Sequence, residues 1–385
     1  MEITAYLTWV CPRKFSSKFL SFIGFGWIVV LSVNCSDSKP DELHRFYQQM
    51  QTNLLEEFPP VDGKWDNPMS DSLFWAIAFY YNQGTATNNQ LYIELAKQAK
   101  NYNLSIVKQA NQDILWFTEH MNESIMALLG LIEISASELS QSVLSEIDHL
   151  LDTTNAFLGE DYYISFKTGF SPTIATAIVA LVNSHYGLRL TTSRQPERIE
   201  TAKQIMAAIE QKAFDGQQYI NDPENPKQLI VYVNSTVLLP LVELAVITQE
   251  TQYITRAEEM FNVLAPYKKH ETGGYVLDQG QYNPHFFQLG DECYELSMNC
   301  FIALDDLFLY QITQKKTYLE DARQIIDFAR VHLYSPEKKV VAHHLTNGHL
   351  PDPEAGQATS GPVFFCLGCN FHYLYVMWYY FSLAD

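Results

Sequence analysis

Two kinds of apolar pattern alternate along the chain from about residue 40 to its end. The first is one-sided: apolar residues recur at the i, i+4, i+7, i+8 and i+11 positions of a single helix face. It is clearest after Tyr253 and after Tyr318. With related segments elsewhere, it predicts six amphipathic helices at intervals of about 50 to 65 residues. These helices begin near Leu43, Tyr92, Leu139, Arg198, Tyr253 and Tyr318.

The second pattern is apolar around most of the helix circumference. A helix that is hydrophobic on every side is buried on every side. Six such stretches are predicted as helices at residues 70–81, 123–134, 172–182, 235–247, 293–312 and 361–381. Half-exposed and buried helices in alternation predict an all-α fold with an inner ring inside an outer ring. Two short extended pieces, 274–277 and 339–342, are predicted to pair locally in the loops.

This alternation resembles the (α/α)6 toroid, or (α/α)6 barrel, of the six-hairpin glycosidase-like superfamily. That group includes unsaturated glucuronyl hydrolases, α-1,6-mannanases and N-acylglucosamine epimerase-like enzymes. The resemblance is one of architecture and repeat length, and no family-specific catalytic motif accompanies it. It implies a single toroid domain over residues 42–385, with a substrate cleft at the mouth where the loops from outer to inner helices gather. Those loops are 59–70, 109–122, 161–171, 217–234, 272–292 and 342–361.

The N-terminal segment has the pattern of an export signal. Arg13, Lys14 and Lys18 precede an uncharged run from Phe19 to Val33. A basic region before an apolar run of about 7–15 residues is typical of a secretory signal peptide, whereas a membrane-spanning helix needs about 20 apolar residues. We therefore predict a signal peptide over residues 1–34.

A cysteine stands directly after this segment. Cys35 followed by a polar tether, residues 35–41 together, resembles a bacterial lipoprotein cleavage site with Cys35 as the lipidated first residue. Ser32 and Asn34 depart from the Leu and the Gly or Ala that are usual there. Ordinary signal-peptidase cleavage and a retained N-terminal anchor stay open. The prediction is a lipid-anchored protein of the bacterial cell envelope, on its periplasmic or surface side.

The composition and charge of the chain limit the kinds of partner that we expect. The chain is 47% hydrophobic and 18% charged, which excludes a disordered protein. Its net charge is −19, and loss of three basic residues and one acidic residue with the leader makes it −21. Nucleic-acid binding depends on Lys and Arg, so no nucleic-acid partner is expected. An acidic body is repelled by anionic headgroups, which leaves membrane attachment to the lipid.

Four cysteines remain in the mature chain. An exported setting permits disulfides, and Cys366, Cys369 and His372 could form a zinc site with Cys293. Packing in the core is the third option and the one we favour. The four are Cys293, Cys300, Cys366 and Cys369. Neither a metal nor another cofactor is therefore expected, and the sequence contains no nucleotide-binding or serine-hydrolase motif.

Acids beside aromatic residues distinguish several mouth loops. A tryptophan next to a carboxylate suits a sugar, because the ring stacks on a pyranose face. General acid–base chemistry needs a carboxylic acid and a base that lie close together with separated pKa values. The candidate catalytic residues are Asp66, Asp113, Glu119 and Asp291. The candidate substrate contacts are Trp65, Trp116, His120, Tyr163, Lys167, Tyr232 and Glu292.

Some polar residues are expected to be structural. Acids at helix starts can serve the helix dipole instead of catalysis. Asp305 and Asp306 lie too far along their helix to reach the mouth, and His343 and His344 are predicted to lie on the surface.

The leading hypothesis is an exported, monomeric, carbohydrate-active protein, with glycoside hydrolysis by two mouth carboxylates. One alternative is a non-catalytic lipoprotein that binds glycan or protein on the same scaffold. Another is a sugar epimerase or isomerase, which would require a histidine beside a carboxylate at the centre of the cavity.

Overall fold

The computed structural model describes residues 42–57, 71–164, 171–221, 230–269, 271–277, 292–347, 350 and 366–384. Six long helices in these ranges are amphipathic: α1 Glu42–Glu57, α3 Gln90–Gln112, α6 Gln141–Ala156, α8 Gln195–Ala213, α10 Thr251–Leu264 and α12 Lys316–Phe328. Six others are buried along most of their length: α2 Asp71–Thr87, α5 Met121–Ile132, α7 Pro172–Arg189, α9 Ile230–Thr248, α11 Leu296–Thr313 and α13 Leu367–Ala384. The predicted alternation of two helix types is confirmed.

Shorter elements connect the long helices. A six-residue helix, α4, spans Ile114–Glu119, with 3₁₀ turns at Ala136–Glu138 and Ala265–Tyr267 and a π turn at Ala329–Leu333. The strands are β1 Cys293–Glu295, β2 Tyr334–Ser335, β3 Val340–Val341 and β4 His344–Thr346. β1 pairs antiparallel with β4, and β2 with β3. The predicted local pairing of short extended pieces is confirmed, since Tyr275 and Leu277 also form isolated bridges.

The six buried helices form a closed ring. In chain order α2, α5, α7, α9, α11 and α13 each pack against the next, and α13 packs against α2. The amphipathic helices pack on the outside of this ring. We call the end of the ring at which the inner helices begin the mouth. Among the described helices, only α9 is long and apolar enough to span a membrane, and it is mostly buried within the ring.

One repeated position explains how the outer helices fit. Each of four predicted repeat segments has an alanine four residues after its first residue, and each of these alanines is at most 2% exposed. A methyl group there lets the outer helix lie close to the inner ring. The alanines are Ala96, Ala202, Ala257 and Ala322.

Two predicted boundaries are wrong. The loop expected at 109–122 is helical, because Asp113 ends α3 and begins α4, and His120 separates α4 from α5 by a single residue. The helix expected from Cys293 instead begins at Leu296, because residues 293–295 pair with residues 344–346.

The prediction for the last-loop histidines is also wrong. His343 and His344 are 6% and 5% exposed, because β4 lies against β1 instead of in solvent. The cysteines Cys293, Cys300, Cys366 and Cys369 are buried thiols.

Candidate functional site

Several residues predicted for the site lie outside the described part of the chain. They are the candidate acids Asp66 and Asp291, the candidate contacts Trp65 and Lys167, and the lipidation residue Cys35.

The residues predicted in the second mouth loop lie together on and beside α4. Asp113 Oδ1 accepts the backbone N–H groups of Leu115 and Trp116 at 3.0 and 3.1 Å, so its carboxylate caps the helix. Asp113 and Glu119 are both exposed. Trp116 stacks on His120 with ring centroids 4.3 Å apart. The four residues form one helix edge at the mouth, on which Trp116 and His120 are half-buried.

The other described contacts are held by neighbours. The hydroxyl groups of Tyr163 and Thr173 are 2.9 Å apart. Tyr232 is half-buried in the first turn of α9. Glu292 Oε1 accepts the Tyr294 hydroxyl at 2.7 Å. Each side chain lies near the mouth end of an inner helix.

Glu295 is the mouth acid that the sequence did not predict. It ends β1 and stands directly before α11, and it is 3% exposed. The Ser297 hydroxyl donates to Oε1 at 2.5 Å, whereas Oε2 has no hydrogen-bond partner among the described residues. Burial raises the pKa of Glu295 to about 7, although the Ser297 hydrogen bond opposes the rise. Both protonation states are therefore populated near neutral pH.

Two neutral imidazoles lie beside this acid. The β1–β4 register sets His344 opposite Glu295, and His343 Nε2 is 3.6 Å from Glu295 Oε1. The Nδ1 atoms of His343 and His344 are 3.2 Å apart. Burial lowers the pKa of both rings to about 4. The contact with Glu295 at neutral pH is thus one between a titrating carboxyl group and a neutral ring, not a fixed ion pair.

A third neutral imidazole lies deeper in the ring. His372 stacks on Trp75 with centroids 3.5 Å apart and meets Phe301 edge-on at 4.8 Å. These residues are the fifth or sixth of their inner helices, roughly 8 Å below the mouth at 1.5 Å per residue. We call Trp75, Phe301 and His372 the aromatic floor. Neither ring nitrogen of the buried His372 has a partner among the described residues, and burial lowers its pKa far below the usual range.

Below the floor an ionic network crosses the ring. His185 Nδ1 is 2.7 Å from Glu243 Oε1, and Arg189 Nη2 is 2.9 Å from Glu133 Oε2. Burial opposes ionisation of Glu133, but Arg189 and His185 lower its pKa to about 2. The cavity beside these groups measures about 20 Å³, which holds one water molecule and no sugar. We assign this network to the core.

The paired acids of α11 also belong to the interior. Asp305 and Asp306 are fully buried. Burial raises the pKa of both, helped by Glu243 for Asp305 and by Asp321 for Asp306. Both lie past the aromatic floor, further along α11 than Phe301. In the described ranges no three His, Cys, Asp or Glu side chains are grouped to hold a metal ion.

Sequence reasoning missed Glu295 and misplaced His343. Glu295 was hidden inside an apolar stretch predicted as one helix, and His343 is separated from it by 48 residues. The available signal was an acid shortly after Asp291 and Glu292 at the start of a buried helix, where dipole partners are as common as site groups.

No protein-family model and no curated protein sequence matches the chain. Several solved structures match the fold of the chain. A D-mannose isomerase has a TM-score of 0.62 at 14% identity, with 89% of this chain and 99% of that chain covered. An unsaturated glucuronyl hydrolase specific for heparin has a TM-score of 0.62 at 12% identity, with 89% of this chain and 97% of that chain covered. The GH76A α-1,6-mannanase from Salegentibacter sp. HEL1_6 has a TM-score of 0.59 at 14% identity, with 89% of this chain and 100% of that chain covered. The chain therefore shares the (α/α)6 toroid fold of these proteins.

Proposed function

We propose that the protein is a carbohydrate-active enzyme that uses Glu295 as a general acid–base at the mouth of the toroid. One observation carries this proposal: a buried carboxyl group, with an oxygen that has no partner among the described residues, has a pKa of about 7. A catalytic acid or base works best when its pKa lies near the working pH. Proteins of the same fold that act on sugars support the choice of substrate class.

Glycoside hydrolysis is the reaction that we favour. Protonated Glu295 would give its proton to the leaving oxygen, while a second carboxylate acts on the sugar from the other side. The two carboxyl groups would be about 5–5.5 Å apart for retention or 6.5–9.5 Å for inversion. We propose Asp66 or Asp291, in the first and fifth mouth loops, as that second group. The glucuronyl hydrolase and the mannanase are hydrolases with this fold.

Sugar isomerisation or epimerisation is the second candidate, and the aromatic floor favours it. His372 is a buried, neutral imidazole on α13 with both nitrogens unpartnered among the described residues. A neutral imidazole can remove a proton from the carbon beside a sugar carbonyl, and Glu295 could return one. The D-mannose isomerase has the same fold.

The test compares Glu295→Gln with Glu337→Gln, the same change on an exposed turn between β2 and β3. The substrates are a panel of glycans and a panel of free aldoses. We expect Glu295→Gln to lose about 10²–10⁴-fold in kcat and the control to keep wild-type rates. New reducing ends identify a hydrolase, and a changed free sugar identifies an isomerase or epimerase. Wild-type rates in Glu295→Gln, or no turnover by the wild type, would overturn the proposal and leave the non-catalytic binding protein.

We further propose that the protein is exported and anchored through Cys35. In bacteria that carry the whole chain, a fatty-acid label should enter the wild type and the protein should sediment with membranes. Cys35→Ala should lose both properties, because the lipid is attached to the thiol. A Cys35→Ala protein that is still labelled would contradict the proposed anchor.

A further inference from the structure

Three asparagines of the inner helices, each fully buried, make the same set of hydrogen bonds. Each asparagine lies four residues after the residue at the mouth end of its helix. Its Nδ2 atom donates to the carbonyl group of that residue. The pairs are Asn234 with Ile230 at 2.8 Å, Asn299 with Glu295 at 2.9 Å and Asn370 with Cys366 at 3.0 Å.

The rest of each amide pairs with the segment that leads into the same inner helix. There Oδ1 accepts the N–H group of one residue, and Nδ2 donates to the carbonyl group of that same residue. The partners are Tyr219 for Asn234, Tyr275 for Asn299 and Val341 for Asn370, at 2.7–3.0 Å. The amide thus binds the backbone as a neighbouring strand would, and we call this arrangement the asparagine clamp.

The third hairpin has a smaller version of the clamp. Thr176 donates to the carbonyl group of Pro172 at 2.6 Å and accepts the N–H group of Ile164 at 3.0 Å. A hydroxyl group has one hydrogen to donate, so the carbonyl group of the incoming segment is not bound by it. The relationship thus recurs in four hairpins, three times with asparagine.

In only one of these four clamps is the residue at the mouth end of the helix an acid, Glu295. Asn299 binds the Glu295 carbonyl group at the start of α11 and the Tyr275 backbone beside it. The bridge between Leu277 and Cys293 ties the segment after Tyr275 to β1, whose last residue is Glu295. The clamp therefore fixes the backbone from which the Glu295 side chain leaves.

We propose that Asn299 is the positioning residue for Glu295, which it holds in the buried setting beside Ser297 and His343. The inference rests on the proposed function of Glu295. Asparagine makes the full set of bonds because its amide supplies two donors and an acceptor within one short side chain. Aspartate has no such donors, and glutamine is one methylene longer.

The test uses three variants of the full chain. Asn299→Ala removes the clamp. Asn234→Ala removes the matching clamp, with the same bonds and the same burial, in another hairpin. Asn299→Thr copies the hydroxyl clamp of the third hairpin. The measurement is the titration midpoint of the Glu295 side chain by ¹³C NMR of glutamate-labelled protein, with Glu295→Gln used to assign the signal.

We expect Asn299→Ala to lower the Glu295 midpoint by about one pH unit or more, because a released carboxyl group reaches water. Asn234→Ala should lose similar stability without moving the midpoint, and Asn299→Thr should keep it near that of the wild type. An unchanged midpoint in Asn299→Ala would overturn the inference. If Asn299→Ala does not fold, a displaced midpoint in Asn299→Thr overturns it and a retained one supports it.

This readout does not depend on activity. Failure of the proposed function would appear as wild-type turnover in Glu295→Gln, whatever the NMR midpoints are. Where turnover is measurable, Asn299→Ala should lower kcat and shift its pH midpoint, whereas Asn234→Ala should leave that midpoint in place.

Discussion

His185 on α7 has its Nδ1 atom 2.7 Å from Oε1 of Glu243 on α9. Its other nitrogen is 3.1 Å from Oε1 of Glu133, an ion-pair contact without hydrogen-bond geometry. One imidazolium thereby joins three consecutive inner helices, because Glu133 follows α5 directly. Burial opposes its charge, but Glu243 and Glu133 raise the pKa of His185 to about 9.

This network predicts a stability that falls in alkali. The folded pKa of His185 lies above the ordinary value of 6.5, so its contribution is complete below pH 6.5 and is lost as the pH rises through about 9. His185→Gln should cost about 3–5 kcal/mol at pH 6, because it leaves buried carboxylates uncompensated. It should also flatten the fall in unfolding free energy between pH 6.5 and 9. Urea unfolding across that range measures both effects.

His149→Gln is the control for this prediction, because His149 is exposed on α6. It should leave the unfolding free energy at pH 6 close to that of the wild type. Identical slopes for wild type and His185→Gln would show that the network does not hold a charged imidazole.

Glu295 predicts the pH dependence of turnover. A general acid must be protonated, so kcat/KM for hydrolysis should fall about tenfold per unit as the pH rises through 7. In the isomerase candidate Glu295 also acts as an acid, because it returns the proton that His372 removes, so the same loss of activity above pH 7 is expected. The pH–rate profile of the wild type therefore tests the role of Glu295 in both candidate reactions. A profile with no inflection near 7 would remove Glu295 from the chemistry.

The same carboxyl group should also destabilise the fold at high pH. Its folded pKa is raised above the ordinary 4.5, so the folded state prefers the protonated form. The wild type should therefore lose stability relative to Glu295→Gln as the pH rises from 4.5 through about 7. Thermal unfolding of both proteins at pH 5 and pH 8 tests this difference without any substrate.

In the aromatic floor, we expect a substitution of His372 to preserve or raise stability while it lowers turnover. His372→Phe replaces two buried nitrogens, which have no partner in the described part of the chain, with an apolar ring that can still stack on Trp75. Removing an unsatisfied buried polar group is worth about 1 kcal/mol or more. We expect unchanged or higher stability together with at least tenfold lower turnover. His149→Phe is the matched change away from the mouth, and a fully active His372→Phe would exclude the imidazole from the reaction.

Gly187 marks a close approach between α7 and α8. A Cβ atom there would lie 2.5 Å from Cγ1 of Ile199. Although alanine is the better helix former, Gly187→Ala should cost about 1–3 kcal/mol, because the packed helices must separate. The free energy lost on Gly187→Ala should be smaller in an Ile199→Ala background, because that change removes the Ile199 atoms that oppose the new Cβ. Equal costs in the two backgrounds, measured by urea unfolding, would mean that this contact does not limit the packing.

The two rings of helices could be predicted from the sequence alone. Whether a helix is buried on one side or on every side is recorded in the spacing of its own apolar residues, as in α10 and α12 on the outside and α9 on the inside. The export signal and lipidated Cys35 are likewise local patterns, and they stay predictions. Local periodicity carries this information because each helix buries its own face.

The candidate site was decided by the tertiary structure. Asp113, a candidate acid in the sequence, caps a helix at the surface, whereas Glu295, inside an apolar stretch, is a buried acid at the mouth whose pKa is raised. That shift comes from burial, and the pairing of β1 with β4 lays residues 344–346 of a distant segment against residues 293–295. A pKa depends on the dielectric surroundings and charges around a group in space, and the order of residues along one helix does not contain them.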